Sequence, residues 1–133
     1  MQNFEGENVL IEMLKAKIHR ATVTEADINY IGSLTLDEDL MDKSGLKEYE
    51  KIHVLDITNG SRIETYIIQG ERGSGQVCIN GAAAHLIHEG DLVIIASYCQ
   101  LNDAEVPSHI PQIIHVDEKN KIIRQPLQTC TLV

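Results

Sequence analysis

The chain has 133 residues, of which 43% are hydrophobic, and this is enough to form the core of one globular domain. Only 4% are aromatic, so the core must be aliphatic, and a net charge of −9 argues against a nucleic-acid partner. No apolar run approaches the ~20 residues that span a bilayer, and the acidic N-terminus lacks a secretory signal. We therefore expect no membrane segment and predict a cytoplasmic protein.

The first predicted elements are two extended stretches followed by a short helix. Residues 9–20 mix apolar and basic side chains and predict a strand, and the extended pattern continues over 21–36. Early acidic residues and a following Gly45 predict a short helix at 37–44 with a glycine cap.

The rest of the chain predicts more strands separated by turns. Asn59-Gly60 predicts a hairpin between strands at 51–57 and 62–69. The later predicted elements are, in chain order, a turn at 71–75, strands at 76–80 and 91–101, a short helix at 102–108, and strands at 113–116 and 122–124. Seven or eight short strands with turns every ~8–12 residues indicate a mainly β protein, a small barrel or sandwich.

Cysteine and histidine do not predict a metal site or a disulfide framework. Cys78, Cys99 and Cys130 are an odd number without a C-x-x-C pair, and the first two lie in apolar runs where thiols pack as small hydrophobes. His85 and His88 form a close pair, but no third ligand of suitable spacing accompanies them. We expect no bound metal.

The peptide bond between Gly32 and Ser33 is the most informative local feature. The flanking Ile, Tyr, Leu and Thr side chains favour extended structure, so this Gly-Ser pair is an unusual place for a turn. A serine hydroxyl attacks the preceding carbonyl only where the backbone is strained and exposed, and glycine permits such dihedral angles and leaves its carbonyl unshielded. The pattern supports the hypothesis that cleavage here converts the serine into a cofactor.

Two pairs of polar residues share a strand face. Lys17 and His19 lie two apart, and Arg62 and Tyr66 lie four apart, whereas Thr65 points to the opposite side of a regular strand. Each also fits an ordinary structural interpretation: Lys17 and His19 as a solvated edge strand, Thr65 as a β-branched strand former, and Tyr66 as an amphipathic strand residue.

A segment of small residues follows the predicted strand at 76–80. Residues 80–84 read Asn-Gly-Ala-Ala-Ala and leave backbone N–H groups available to an anion or carbonyl, although a tight strand-to-helix junction has the same pattern. In an acidic protein an anionic ligand needs a local basic cluster. The candidates are Lys17, Arg20, Arg62 and Arg72, of which Arg62 is best suited to grip a carboxylate.

Five motifs in register resemble the aspartate decarboxylase family over roughly residues 13 to 120. They are KIHR at 17–20, NYIGS at 29–33, NG-x-R at 59–62 with TY at 65–66, NGAAAH at 80–85 and GDLVIIA at 90–96. The resemblance implies a six-stranded double-psi β-barrel with short helices, a homotetramer, and a pyruvoyl-dependent enzyme of pantothenate and coenzyme A biosynthesis.

The resemblance also implies that the precursor cleaves itself between Gly32 and Ser33. Ser33 Oγ would attack the Gly32 carbonyl to form an ester. β-Elimination would leave dehydroalanine, which hydrolyses to a pyruvoyl group and ammonia. The products would be a β chain of residues 1–32 and an α chain of residues 33–133, both from a single domain. Residues 1–12 look like an extension beyond the family pattern.

The implied reaction converts L-aspartate to β-alanine and CO2 through a Schiff base with the pyruvoyl ketone, which serves as an electron sink. By resemblance, Tyr66 donates the proton, Arg62 and Lys17 bind carboxylate groups, and Thr65 supports cleavage and contacts substrate. The remaining site residues implied are Asn80, Gly81, Ala82 and Ala83 as lining and His19 and Tyr30 as supporting residues.

Two alternatives stay open at this point: a pyruvoyl decarboxylase of another amino acid, and a small β-barrel binding module that is never processed. The sequence also leaves open whether cleavage is spontaneous or needs a maturation partner. Because Thr65 and Tyr66 are neighbours on a strand, we expect either a local twist or a site shared between subunits.

Overall fold

A computed structural model describes residues 9–123, so Cys130 lies outside the described part of the chain. The mainly β prediction is confirmed: this part contains eight strands, one α-helix and two short 3-10 helices. The strands are β1 Ile11–Thr22, β2 Glu25–Asp27, β3 Ser33–Asp37, β4 Lys51–Asp56, β5 Arg62–Gly70, β6 Val77–Asn80, β7 Leu92–Leu101 and β8 Gln112–His115, and the helices are α1 Glu38–Ser44 and the 3-10 turns Gly81–His85 and Val106–Ser108.

The strands form one sheet in the order β2-β6-β3-β5-β4-β7-β1-β8. The pairs β1–β8, β2–β6 and β3–β5 are parallel, and the other neighbours are antiparallel. Eight strands are thus two more than the resemblance implies for the barrel. One face of the sheet carries the aliphatic core, including Ile18, Val54, Ile67 and Ile95, all fully buried. We call the opposite face the outer face.

The predicted helix and its glycine cap are confirmed. The Asp37 side chain accepts a hydrogen bond from Asp39 N at the start of α1, and Gly45, with a φ of 80°, ends it by donating to Met41 O. The same Asp37 carboxylate also accepts from Gly73 N and Gly75 N, which fastens the predicted turn to the helix. Among residues 9–123, no helix is long and apolar enough to cross a bilayer.

Three predicted elements were too long. Within 21–36 the end of β1 at Thr22, the strand Glu25–Asp27 and the strand from Ser33 are extended, and Asp27 Oδ1 accepts from Asn29 N and closes a turn between the last two. The predicted helix at 102–108 is a single 3-10 turn, and 122–123 contribute one bridge, Val116 to Ile122, instead of a strand. The predicted extension at 1–12 overlaps the sheet, since β1 begins at Ile11.

Two buried carboxyl groups meet where β4 ends and β7 begins. Asp56 and Asp91 are 3% and 9% exposed, and Asp56 Oδ2 accepts no hydrogen bond from any residue in the described part of the chain. Burial and a hydrogen bond to Asp91 raise the pKa of Asp56, and the same bond lowers the pKa of Asp91. Since two carboxylates cannot hydrogen-bond without a proton, Asp56 carries it.

This pair predicts a stability that falls as the pH rises. A carboxyl group whose pKa is higher in the folded than in the unfolded state stabilises the fold at low pH and loses that contribution as the pH passes the folded pKa. Asp56→Asn supplies an amide N–H donor at every pH. At pH 8 we therefore expect the free energy of unfolding of the variant to exceed that of the wild type by about 1–2 kcal/mol.

Urea unfolding at pH 5 and pH 8 measures this difference, which should shrink toward pH 5. Asp103→Asn is the matched control, because it removes the same charge from an exposed loop position. The shared proton would be contradicted if Asp56→Asn changed the free energy of unfolding equally at both pH values, or if Asp103→Asn produced the same change.

Candidate active site

The Gly32-Ser33 bond lies where an exposed turn enters the buried strand β3. Ile31 is 77% exposed and Gly32 is also exposed, whereas the side chain of Ser33, the first residue of β3, is almost fully buried. The bond is therefore accessible on its acyl side, while the serine is held by the sheet. This placement agrees with the predicted exposure of the Gly32 carbonyl.

Three hydrogen bonds define the surroundings of the Ser33 hydroxyl. Ser33 Oγ donates to Ile31 O at 3.3 Å and accepts from Asn80 Nδ2 at 3.1 Å. The second N–H of the same amide reaches Thr35 Oγ1 at 3.0 Å. Because a hydroxyl has two lone pairs, one lone pair of Ser33 Oγ is left for an electrophile.

The unusual backbone dihedral is found at Gly81 instead of Gly32. Gly32 does not have a positive φ. Gly81 has a φ of 76°, and a Cβ built on it would lie 2.6 Å from Gly32 Cα and 3.1 Å from Tyr30 O. Only glycine lets the two backbones approach this closely. The small-residue segment is thus in direct contact with the peptide unit before Ser33.

The residues after Gly81 form the 3-10 helix Gly81–His85, so the predicted strand-to-helix junction is present. Ala82 is exposed and Ala83 packs against the core, next to the buried Ala84. Within this segment Gly81 packs against the Gly32 backbone, and it can do so because it has no side chain.

Tyr66 lies beside Ser33 on the outer face. In the parallel pair β3–β5, Leu34 is opposite Ile67, and both belong to the core. Ser33 and Tyr66 each come one residue earlier, so both face away from the core. Thr65 is opposite the buried Ile52 on the inner face, as the strand pattern predicts.

Arg62, Lys17 and His19 are far from Ser33 within one chain. Arg62 lies four residues before Tyr66, about 13 Å along the strand. Lys17 aligns across the sheet with Ala96, His53 and Glu64, and the strands β7 and β4 separate β1 from β5 by about 14 Å. Ser33, Asn80, Gly81, the Tyr30 backbone and Tyr66 are therefore brought together, and the basic residues are not.

The charged candidates differ in whether they are already paired. The Arg72 guanidinium binds three carboxylates, those of Glu38, Asp39 and Asp42, and is not available to an acidic ligand. Within residues 9–123, Lys17 and Arg62 form no ion pair, so both remain open to an anion.

His19 lies beside a second histidine that the sequence interpretation did not include. The rings of His19 and His115 are 5.1 Å apart on the parallel strands β1 and β8, and His19 Nδ1 is buried without a hydrogen-bond partner among the residues described. Burial, with the nearby charges of Lys17, His115 and Arg20, lowers the pKa of His19. His19 therefore favours the neutral form next to the unpaired lysine.

Two further residues of the site were missed. Thr35 and Cys78 face each other across β3 and β6, two residues along from Ser33 and Asn80, and both join the hydrogen bonds around the Asn80 amide. The alternating patterns Ser-x-Thr and Cys-x-Asn indicated that each pair of side chains lies on one face of its strand. Nothing in the sequence indicated that the two strands pair with each other. In the described part of the chain, no three His, Cys, Asp or Glu side chains are grouped to hold a metal.

The fold and this site define a mainly β protein in which a buried asparagine amide holds one serine at an exposed Gly-Ser bond. The sequence profile of the aspartate decarboxylase family matches residues 9–123. The chain belongs to this family, and it is accordingly an enzyme of the carboxy-lyase class. The predictions of the family and of an enzyme are confirmed, and the binding-module alternative is set aside.

Similar curated proteins cover most of the chain. The aspartate 1-decarboxylase of Caldicellulosiruptor saccharolyticus is 58% identical over 116 residues, which are 87% of this chain and 91% of that protein. That of Corynebacterium efficiens is 59% identical over 115 residues, 86% of this chain and 85% of the relative. Among solved structures, the computationally designed msDPBB_sym2 protein aligns with 64% of this chain and 96% of its own at 18% identity and a TM-score of 0.40, too distant to add to the assignment.

Proposed function

We propose that the chain removes the α-carboxylate of L-aspartate, giving β-alanine and CO2, with a pyruvoyl group made from its own Ser33. The observation that carries this proposal is the Ser33 hydroxyl, buried and hydrogen-bonded on both sides at an exposed Gly-Ser bond. β-Alanine would enter pantothenate and coenzyme A biosynthesis, and we place the reaction in the cytoplasm.

The surroundings of Ser33 suit an attack on the preceding carbonyl. Ile31 O accepts a hydrogen bond from the hydroxyl and Asn80 Nδ2 donates to one lone pair, so the second lone pair is free to attack the Gly32 carbonyl carbon. The hydroxyl proton passes to the Ser33 nitrogen. The C–N bond breaks as the ester forms, and the new amine belongs to Ser33. Elimination of the Gly32 carboxylate and hydrolysis then leave the keto group at residue 33 and release ammonia.

The residues of the outer face then have distinct roles. When formed, the pyruvoyl group supplies an electron sink for the carbanion that loss of CO2 creates. Tyr66, which lies beside Ser33 on β5, donates the proton to that carbon, since its hydroxyl is on the face where the substrate binds. Arg62 and Lys17, both without an ion pair in the described chain, bind the two carboxylates of the substrate.

These roles require more than one copy of the chain. Aspartate is too short to bridge Tyr66 and Arg62, about 13 Å apart along β5, or to reach from β5 to Lys17 on β1, about 14 Å across the sheet. The turn before Ser33 exposes three large apolar side chains, Ile28, Tyr30 and Ile31, as expected for a surface that another subunit covers. We therefore propose a homotetramer with a site shared between subunits, which would supply the basic residues from a neighbour.

Intact-mass measurement of the purified protein tests the proposal. We expect two chains, residues 1–32 and 33–133, with no free amine on the larger one. A single full-length chain that persists after prolonged warming with cell extract, which would supply any maturation partner, overturns the self-made cofactor. Faster release of CO2 from histidine or arginine than from aspartate would overturn the choice of substrate.

The close contact at Gly81 predicts a specific loss of cleavage. Gly81→Ala places a methyl group against Gly32 Cα, so the turn before Ser33 must move. We expect cleavage at least ~10-fold slower and a stability loss of about 2–4 kcal/mol from the backbone strain and the clash together. Time courses of intact mass and urea unfolding measure the two effects.

Gly90→Ala is the matched control, because Gly90 also has a positive φ, of 90°, but an added Cβ meets no atom within 4 Å. Its free energy of unfolding should fall by about 1–2 kcal/mol, from backbone strain alone, and it should cleave at the normal rate. Equal cleavage rates in the two variants would show that the contact with Gly32 is unimportant.

A further inference from the structure

Four side chains form a compact group on the outer face of β3 and β6. Asn80 is directly opposite Ser33, and Cys78 is directly opposite Thr35. Cys78 and Asn80 are both buried, at 5% and 3% exposure. The Cys78 thiol lies 3.2 Å from Asn80 Oδ1, on the side of the amide away from Ser33.

We propose that Cys78 is a positioning residue: its thiol fixes the orientation of the Asn80 amide, and the amide in turn orients the Ser33 hydroxyl for cleavage. This inference rests on the proposed self-cleavage at Gly32-Ser33.

The hydrogen-bond roles of the four groups support this assignment. The Asn80 amide gives one N–H to Ser33 Oγ and the other to Thr35 Oγ1. Both hydroxyls can donate as well as accept, so they would pair equally well with the carbonyl end of a flipped amide. Cys78 is different: in the observed orientation its S–H, a weak donor, points to Asn80 Oδ1, whereas a flipped amide would turn a stronger N–H donor toward sulfur, a poor acceptor. The thiol therefore decides which end of the amide faces Ser33.

The orientation matters for the nucleophile. With the amide N–H toward it, Ser33 Oγ accepts that bond and sends its own hydrogen to Ile31 O. With the amide flipped, the Ser33 hydrogen would turn toward Asn80 Oδ1 and the arrangement of lone pairs around Oγ would change. In the observed orientation the hydrogen and one lone pair of Ser33 Oγ are both engaged, so the direction of the remaining lone pair is fixed.

The thiol keeps its hydrogen over the working pH range. Burial, aided by the nearby carboxylates of Glu25 and Asp27, raises the pKa of Cys78 to about 11. A thiolate would repel Asn80 Oδ1, but at neutral pH the group is a protonated donor. Its apolar packing and its hydrogen bond are therefore separate properties that substitution can distinguish.

Two substitutions separate packing from hydrogen bonding. Cys78→Val keeps a buried side chain of suitable size for a strand but has no donor, and Cys78→Ser keeps a donor but fills less space. We expect Cys78→Val to cleave about 3- to 10-fold more slowly than the wild type, the effect of one hydrogen bond. Cys78→Ser should cleave at a rate between those two, because its hydroxyl still donates to Asn80 Oδ1 but also accepts from a flipped amide. Intact-mass time courses of freshly purified precursor give the rates, and thermal melting checks the fold.

A purely structural role predicts the reverse order, with Cys78→Val near wild type and Cys78→Ser impaired, and that result overturns the inference. Cys99→Val, at a half-buried thiol on β7, is the control and should leave the rate unchanged. If Cys78→Val does not fold, Cys78→Ala makes the same comparison with Cys78→Ser. A wild-type chain that never cleaves defeats the proposed function itself, whereas cleavage unaffected in Cys78→Val defeats only the role of the thiol.

Discussion

Ser33→Ala is expected to abolish chain cleavage and aspartate decarboxylation together while the fold is retained. The variant has no nucleophile at residue 33, so the Gly32 carbonyl is not attacked and no keto group forms. One Asn80 N–H loses its acceptor, which costs about 1–3 kcal/mol, but the other still binds Thr35 Oγ1. Intact mass, β-alanine production and circular dichroism measure the three properties on one preparation.

Ser97→Ala is a matched control for this substitution. Ser97 is a second fully buried serine, on β7, and its Oγ has no hydrogen-bond partner within residues 9–123. The same chemical change there should leave both cleavage and turnover unchanged. A cleaved and active Ser33→Ala protein would be fatal to the mechanism, and an uncleaved but active one would show that the cofactor does not come from Ser33.

Tyr66→Phe is expected to separate the two reactions. Tyr66 is placed beside Ser33 on the outer face but has no hydrogen bond to it in the described chain, so cleavage should proceed normally. Loss of the phenol removes the proposed proton donor, and kcat for β-alanine formation should fall by about 10²–10⁴. The ring itself is retained, so the free energy of unfolding should change little.

The measurement is intact mass together with steady-state kinetics on the fully cleaved variant. Tyr98→Phe is the control, because Tyr98 lies on the same face of the sheet, where it packs against His53. A kcat within about threefold of wild type in Tyr66→Phe would assign the proton transfer to another group.

Local patterns predicted most of the fold because their causes are local. The acids at the start of α1 and Gly45 at its end are capping signals that act within a few residues, and both were placed correctly. The hairpin at Asn59-Gly60 is confirmed for the same reason, with Gly60 at a φ of 82°. The turn at 28–32 was missed because its cause is a side-chain hydrogen bond from Asp27 within a run of strand formers.

The sequence by itself determined the mainly β class and the family, and it was sufficient to propose the Gly32-Ser33 bond as the reactive point. Only the tertiary structure decided how that bond is held, since Asn80 and Gly81 reach it from 47 and more residues away through the pairing of β3 with β6. Strand periodicity gives the face of a residue but not its partner strand. For that reason the contact at Gly81, the hydrogen bond from Cys78 to Asn80 and the separation of Lys17 from Ser33 across the sheet appeared only in the folded chain.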